Sequence, residues 1–500
     1  MLETAKKNES LTVHVSWLMM AKTLAFVFNM ALPILLVRRL DLTQFGVYKQ
    51  LFLVIGTSVL VLPLGFAMSA YYFLPREALR QAETVLNIFL FNLTVGLLAG
   101  ACLILWPALL GIIFHQPGLA TYTGLMGAVI MLWIISSAIE IIPIANGETR
   151  FASVMILGVQ LTRTTIYLSA AIAFGTVRAL LYAAVLQGFL QTGVLWWYLQ
   201  SRFGSFWRRF DWQLMRTQLS YAIPLGLAGV LFTAQTDLHS YFVSNRLGAA
   251  AFAIYAVGTI NLPLMGLLQE ATNAILITRV CELQHLNQPR EIIFLMARAT
   301  RKLAAAYFPV YALLVVLAPQ LITFAFTRRY LASVPIFLVN LTMLLVGIVL
   351  QDPLFRAYRE QRFFLIRLRI ALCALLVAGL WFAIGRYGPI GAITVVVGVS
   401  VTERIVTTAR FGRVLGFGWH DMVLLKDVGK LAIAALAAAL VAAAVRLPLL
   451  GQRPLLILII CGALFSLVYL GAVLLMGVVT AEEKDIVRRK VALLLPNALV

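Results

Sequence analysis

Residues 37–48 read VRRLDLTQFGVY, and residues 244–255 read SNRLGAAAFAIY. At an offset of 207, Arg39 meets Arg246, Leu40 meets Leu247, Phe45 meets Phe252 and Tyr48 meets Tyr255. Each stretch is a half-polar interruption in an apolar chain, so its return asks whether the whole chain is doubled. A second pair answers. ANGETRF, beginning at Ala145, and AYREQRF, beginning at Ala357, match at an offset of 212 through Ala145 with Ala357, Glu148 with Glu360, Arg150 with Arg362 and Phe151 with Phe363. At the same offset Ala171 and Ile172 fall on Ala383 and Ile384. Matched connectors at nearly one spacing mark an internal duplication.

The repeats are set in an apolar background. The 500 residues are 62% hydrophobic and 12% charged, against about 25% charged in a soluble domain. Mean hydropathy is +0.94. Long apolar runs reach the roughly 20 residues that carry a helix across a bilayer, and ten-residue alternating strands are absent, so the spanning elements are helices. The expected fold is all-α and polytopic. Fourteen spans are read near 12–36, 46–73, 85–110, 121–144, 152–174, 179–200, 218–243, 251–277, 303–326, 334–355, 365–385, 390–412, 429–446 and 455–478. The opening MLETAKKNES is followed by no small-residue cleavage site, so span 1 is expected to be retained.

Lys and Arg favour cytoplasmic loops. With the N-terminus inside, roughly 27 of the 40 Lys and Arg fall on the inner side, about 10 outside and about 3 within spans. The inner clusters are Arg202, Arg208, Arg209 and Arg216; Arg279, Arg290, Arg298, Arg301 and Lys302; Arg356, Arg359 and Arg362; and Lys484, Arg488, Arg489 and Lys490. Both termini are therefore expected in the cytoplasm. The net charge of +20 is this topology signal plus attraction to anionic lipid, not a nucleic-acid footprint. Cys102, Cys281, Cys373 and Cys461 are scattered without metal or disulfide spacing, as are the five histidines.

With this topology the first connector pair lies outside, before spans 2 and 8, and the second lies inside, before spans 5 and 11. Six spans separate the copies, which makes a parallel repeat of the kind found in transporters. The expected organisation is an N-lobe over 1–205, a C-lobe over 206–415 and, over 416–500, spans 13 and 14 with a tail. The basic, aromatic SRFGSFWRRFDWQLMRTQ would bridge the lobes at the cytoplasmic interface.

The stretches LVRRLDLTQFGVYKQ, YAIPLGLAGVLFTAQTDLHSYFVSNRLGAAAFAIYAVG and YGPIGAITVVV resemble the bacterial Wzx-type polysaccharide flippases of the multidrug/oligosaccharidyl-lipid/polysaccharide (MOP) exporter superfamily. The likeness covers about residues 10–415. It implies a V-shaped pair of six-helix lobes, with a cavity lined by spans 1, 2, 7 and 8 that opens alternately to the two sides. Lipid II flippases also have fourteen helices. This chain carries Lys22 alone in span 1, where such a protein is expected to hold two closely spaced arginines.

Charges within spans ask for a reason, since each costs about 2.5 to 3.5 kcal/mol on insertion scales. Lys22 lies about 18 Å past Ser10, too deep for easy snorkelling, and shares a face with Asn29. Arg163, mid-span between Gln160 and Tyr167, could grip a phosphate or pair structurally. Lys49 and Arg404 are further candidates for substrate contact, although both are near enough an interface to snorkel. For a coupling proton or sodium ion the candidates are Asp237, His239 beside it, and Glu270; Asp237 could instead pair with Arg246. Glu140 and Asp352 are nearer the inner boundary.

Such a set suits carriage of an anionic amphiphile. A polyprenyl-diphosphate-linked glycan cannot take its sugar and phosphates through hydrocarbon, whereas its tail can stay there. Cations would meet the phosphates, and Asn29, Gln235 and Thr236 the sugar. No bond is made, so no cofactor is expected, and no nucleotide-binding, nucleophile-elbow or zinc-helix motif is present. Expected partners are the lipid-linked glycan, membrane lipids and other polysaccharide-assembly proteins in the bacterial inner membrane. Three alternatives remain: a lipid II flippase, a cation-coupled drug exporter, which would prefer carboxylates and aromatic rings, and a glycan polymerase or ligase, which would need a large outer loop.

Overall fold

The computed structural model describes residues 11–208, 210–260 and 262–478. The opening MLETAKKNES, Arg209 and the basic cluster at 484–490 lie outside them. Every regular element among the described residues is helical. The first copy of the repeat runs through α1 (Leu11–Leu36), α2 (Leu42–Val61), α3 (Ala70–Arg76), α4 (Gln81–Leu105), α5 (Ala108–Phe114), α6 (Thr123–Ser136), α7 (Ile141–Ala145), α8 (Thr149–Ala173) and α9 (Val177–Phe203). The second runs through α10 (Trp212–Gly258), α11 (Pro263–His285), α12 (Pro289–Phe326), α13 (Val334–Gly347), α14 (Asp352–Ala357) and α15 (Arg362–Leu415). Two helices follow, α16 (Lys426–Arg446) and α17 (Pro454–Leu475).

The duplication is clearest in the irregularities. In each copy a six-residue 3-10 turn, Pro117–Tyr122 or Arg328–Ser333, feeds a 14-residue helix, α6 or α13. That helix breaks and resumes as the short α7 or α14. Ahead of the two turns stand His115 and Thr327, both with positive φ (52° and 75°) and 212 positions apart. Positive φ is uncommon outside glycine, so its recurrence at the repeat spacing is weightier evidence than another matched helical residue. Gly175 (φ 59°) turns α8 into α9, and Gly388 (φ 58°) bends α15 at the corresponding place. The opening connectors differ in chemistry. Asp41 caps α2 by accepting from the Gln44 N–H at 2.7 Å, whereas in the second copy Gly248 makes the turn with φ 78°.

Ten helices among the described residues are long and apolar enough to cross a membrane, or eleven if the bent pair Trp212–Pro224 and Gly229–Gly258 forms one span. The expectation was fourteen, and the two readings part at spans 1, 7, 8, 11 and 12. Spans 11 and 12 are arms of one 53-residue run, Phe363–Leu415. Span 8 is divided between the end of α10 and α11, and the apolar part of span 1 is the shorter Met20–Leu36.

By contact the chain forms two compact units, Met1–Val257 with Leu380–Ala392, and Gly258–Gly379 with Ile393–Val500. In the first, α4 packs on α6, α1 on α8 and α6 on α9, around a core that includes Phe66, Leu86, Ile88, Leu195 and Phe206. α10, as far as Val257, also belongs here. Gly46 lets α2 approach the Ala249 carbonyl so closely that a Cβ would overlap it, and Gly226 does the same beneath the Leu64 carbonyl. Between these contacts the Gln50 amide donates to Ser244 Oγ at 2.8 Å and the Thr57 hydroxyl donates to Asp237 Oδ2 at 3.4 Å. In the second unit, buried Ala434, Ala435, Ala438 and Ala442 of α16 pack with Leu303, Ala304, Tyr307, Cys461 and Phe465 of α12 and α17. The Arg446 guanidinium donates to the Val316 carbonyl and the Lys430 ammonium to the Met476 carbonyl, fastening both ends of α16.

Candidate functional site

The first unit places three cations well inside its helices. On α1, Lys22 and Asn29 are both exposed and fall on one face, seven residues apart. Lys22 lies within Coulombic range of Glu140, the residue capping the break between α6 and α7. The other two cations come together. Lys49 of α2 and Arg163 of α8 are half-buried and within Coulombic range of one another. The Lys49 ammonium sits 5.6 Å from the Phe45 ring centre, and the Arg163 guanidinium 5.2 Å from Trp133 and 5.7 Å from Tyr167. Phe52 closes the group against Trp133 and Tyr167 at 6.1 and 5.8 Å. No carboxylate among the described residues forms an ion pair with either cation.

On α10, Asp237 accepts from Thr57. Arg246 instead stacks over Trp381 at 4.0 Å. His239 Nδ1 lies 2.8 Å from the Tyr255 hydroxyl, which donates to it when that nitrogen is unprotonated, and 3.3 Å from Ser240 Oγ. Thr236 is turned back on its own helix, donating to the Phe232 and Thr233 carbonyls.

The second unit holds its charges differently. Arg404 donates to the Val349 carbonyl at 2.6 Å and lies along a groove of about 530 Å³ walled by Leu345, Val346, Ile405 and Thr408. Arg369 pairs with Glu403 at 3.8 Å across the two arms of α15. Glu270 and Asp352 are exposed. Thus the sequence-derived candidates do not form one cluster. Lys49 and Arg163 meet; Lys22 and Asn29 share a separate face of α1; Asp237 and His239 sit on α10; Arg404 and Glu270 belong to the other unit.

A family model described as "Polysaccharide biosynthesis protein" matches residues 9–335. The chain belongs to that family. Among solved structures, this polysaccharide biosynthesis protein is similar to the lipid II flippase MurJ in an inward closed conformation. The TM-score is 0.67 at 14% identity, over 91% of this chain and 97% of that one. It is also similar to a multidrug resistance MATE family transporter of the MOP superfamily in an inward-facing conformation (TM-score 0.60, 14% identity, 78% of this chain and 94% of that one). A third is a MOP superfamily transporter from Pyrococcus furiosus, described by a binding pocket of reverse polarity (TM-score 0.55, 13% identity, 81% and 95%). No curated protein matches the sequence. At these identities the structures show the fold. Family and fold together bear out the resemblance to MOP-superfamily flippases, and the long apolar helices mark the chain as a multi-pass membrane protein.

Sequence reasoning passed over several of the polysaccharide biosynthesis protein's polar contacts. Gln50 and Ser244 are fully buried and bonded to each other; Ser244 stands on one polar stripe of its helix with Thr233, Asp237 and Ser240, but Gln50 reads as an ordinary polar residue near a span end. The Arg369–Glu403 pair was legible, because YGPIG at 387–391 folds spans 11 and 12 into a hairpin whose arms bring those two positions together.

Proposed function

We propose that the protein is a flippase that carries a polyprenyl-diphosphate-linked oligosaccharide from the cytoplasmic to the outer leaflet by alternating access, for O-antigen, capsule or exopolysaccharide export. The observation that carries this reading is the pair Lys49 and Arg163 inside the first unit, two cations that form no ion pair with a carboxylate among the described residues. A charge in hydrocarbon is retained where it meets a counter-charge or lines a water-filled path. Two cations without a carboxylate leave the counter-charge to be supplied by a passing ligand, and a diphosphate supplies it. The exposed Lys22 and Asn29 extend the same chemistry along α1, since lipid would leave both unsatisfied.

In this reading Asp237, with its bond to Thr57 across the α2–α10 contact, is the site at which a proton or sodium ion couples to transport; His239 and Glu270 are the other groups open to that role. The host membrane is the bacterial inner membrane, with both termini cytoplasmic and with other polysaccharide-assembly proteins as neighbours. A lipid II cargo is the second reading, favoured by the length over which the MurJ fold covers this chain, α16 and α17 included in the described residues.

The test is deletion followed by extraction of polyprenyl-linked sugars. Accumulation on the cytoplasmic leaflet, relieved by the wild-type gene and not by Lys22→Ala, is the expected result. Accumulation of the peptidoglycan precursor instead would transfer the assignment to lipid II. Unchanged lipid-linked sugars with new sensitivity to cationic dyes would overturn both.

A further inference from the structure

Along one stripe of α8, at i, i+3 and i+7, stand Gln160, Arg163 and Tyr167. Each carries a polar atom that is out of contact with solvent and finds no acceptor: the Gln160 Nε2 amide, the Arg163 Nε–H and the proton of the Tyr167 hydroxyl, whose oxygen faces the Arg163 guanidinium and whose residue is 0% exposed. A buried donor left without an acceptor costs about 1 to 3 kcal/mol, and buried polar atoms are almost always satisfied, so three on one stripe call for a common cause. Lys49 faces the same place from α2 and adds a second positive charge that repels the first. The aromatic walls, Phe45, Phe52 and Trp133, stabilise the cations by their ring faces and contribute no acceptor. Every unfilled polar function that points here donates, and both charges are positive.

We infer that Arg163, Lys49, Gln160 and Tyr167 form an oxyanion site within the first unit that takes a group of the phosphate class. A planar guanidinium and an ammonium match the charge of a phosphate or diphosphate, and the amide and phenol complete its acceptor sites. Arg163 and Lys49 each keep a partly exposed surface. The same chemistry could come from two sources, the headgroup of a polyprenyl diphosphate or free inorganic phosphate. The inference deepens the flippase reading by naming the residues that hold the cargo's diphosphate, but the site's existence is tested without transport.

Full-length protein in nanodiscs of neutral lipid is heated with inorganic phosphate, with inorganic pyrophosphate, or with a short-chain polyprenyl diphosphate incorporated in the disc, each against sodium chloride of equal ionic strength. A ligand that binds only the folded state raises the melting temperature in a saturable manner. The expected result is a rise of a few degrees with at least one phosphate probe, abolished in Arg163→Gln, reduced in Tyr167→Phe and only partly restored by Arg163→Lys. Tyr167→Phe keeps the packing, so it reports on the site even if Arg163→Gln folds poorly. A rise with the lipid alone assigns the cargo headgroup; a rise with free phosphate or pyrophosphate equal to that with the lipid assigns a soluble counter-ion. No rise with any probe, or a rise that survives both Arg163→Gln and Tyr167→Phe, overturns the site. Lipid-linked sugar accumulating in the deletion strain despite such a result would leave the flippase reading standing and remove only this one.

Discussion

Position 46 has room for no side chain. A Cβ there overlaps the Ala249 carbonyl, which is backbone and cannot swing aside, so Gly46→Val should push α2 and α10 apart. With cysteines placed at positions 50 and 244, whose native side chains meet at 2.8 Å, cross-linking by a short bifunctional thiol reagent should fall several-fold once Gly46→Val is added to the double-cysteine parent. Breaking the Gln50–Ser244 bond has a different signature. Gln50→Leu strands a fully buried hydroxyl and should destabilise by about 1 to 3 kcal/mol, whereas adding Ser244→Ala should recover much of the loss, because removing both partners leaves nothing unsatisfied; thermal melts of the three variants decide it. At Thr327 backbone strain is the issue. With φ 75° and ψ 166° it occupies a region held almost only by glycine, and its hydroxyl is buried without a partner. Thr327→Gly should therefore raise stability by about 1 kcal/mol, the relieved strain exceeding the added freedom of the unfolded chain. At this scale the sequence was only partly legible. Lys49 and Arg163 could be named as intramembrane cations, with Gln160 and Tyr167 beside the latter, but Gln50 acquires its meaning only through Ser244, 194 positions away.

Among the elements, the clearest local logic is at the start of α10. Asp211 accepts from the Leu214 N–H at 2.9 Å and from the Arg80 guanidinium, while the Asn87 amide donates to its carbonyl at 3.1 Å. The Leu214 N–H first, and then Arg80, hold the Asp211 carboxyl below the usual range. A lowered pKa means that the cap's contribution is complete above the unfolded value, about pH 4, and fades as pH falls through the lower folded value. Asp211→Asn should accordingly melt below the wild type at pH 7, and the two melting curves should converge on acidification below about pH 4. In α16 the alanine stripe sets how closely α12 and α17 approach. Ala438 is 0% exposed within that cluster, so Ala438→Leu should cost about 1 to 3 kcal/mol by overpacking, read as a lower melting point and early aggregation in size-exclusion traces. Spans were legible as elements because apolar runs announce themselves. Their breaks were less so: SSAIEIIPIA carries two serines, Glu140 and Pro143 through the interruption between α6 and α7, but in so apolar a run hydropathy averages over a bent backbone as it does over a straight one.

For the whole molecule, the duplication was legible from two short connectors, since the half-polar loops between spans are where a residue match is least likely to be mere shared hydrophobicity. What the sequence could not reveal was the company each element keeps. α10, first helix of the second copy, is fastened along its length to the first copy by Gly46, Gln50, Thr57 and Leu64, contacts that the order of the chain does not announce. Orientation is open to direct test. A cysteine at position 39 should react with a membrane-impermeant thiol reagent in intact cells, and one at position 205 only after the membrane is opened; reversed labelling would invert the topology.

The interruptions of α6 and α13 recur at one spacing, each between a 14-residue helix and its short continuation. A flaw of that kind, repeated together with the left-handed residue ahead of each helix's entry turn, is what a doubled unit leaves when the unit was itself crooked: the backbone irregularity is common to both halves although most of the letters around it differ.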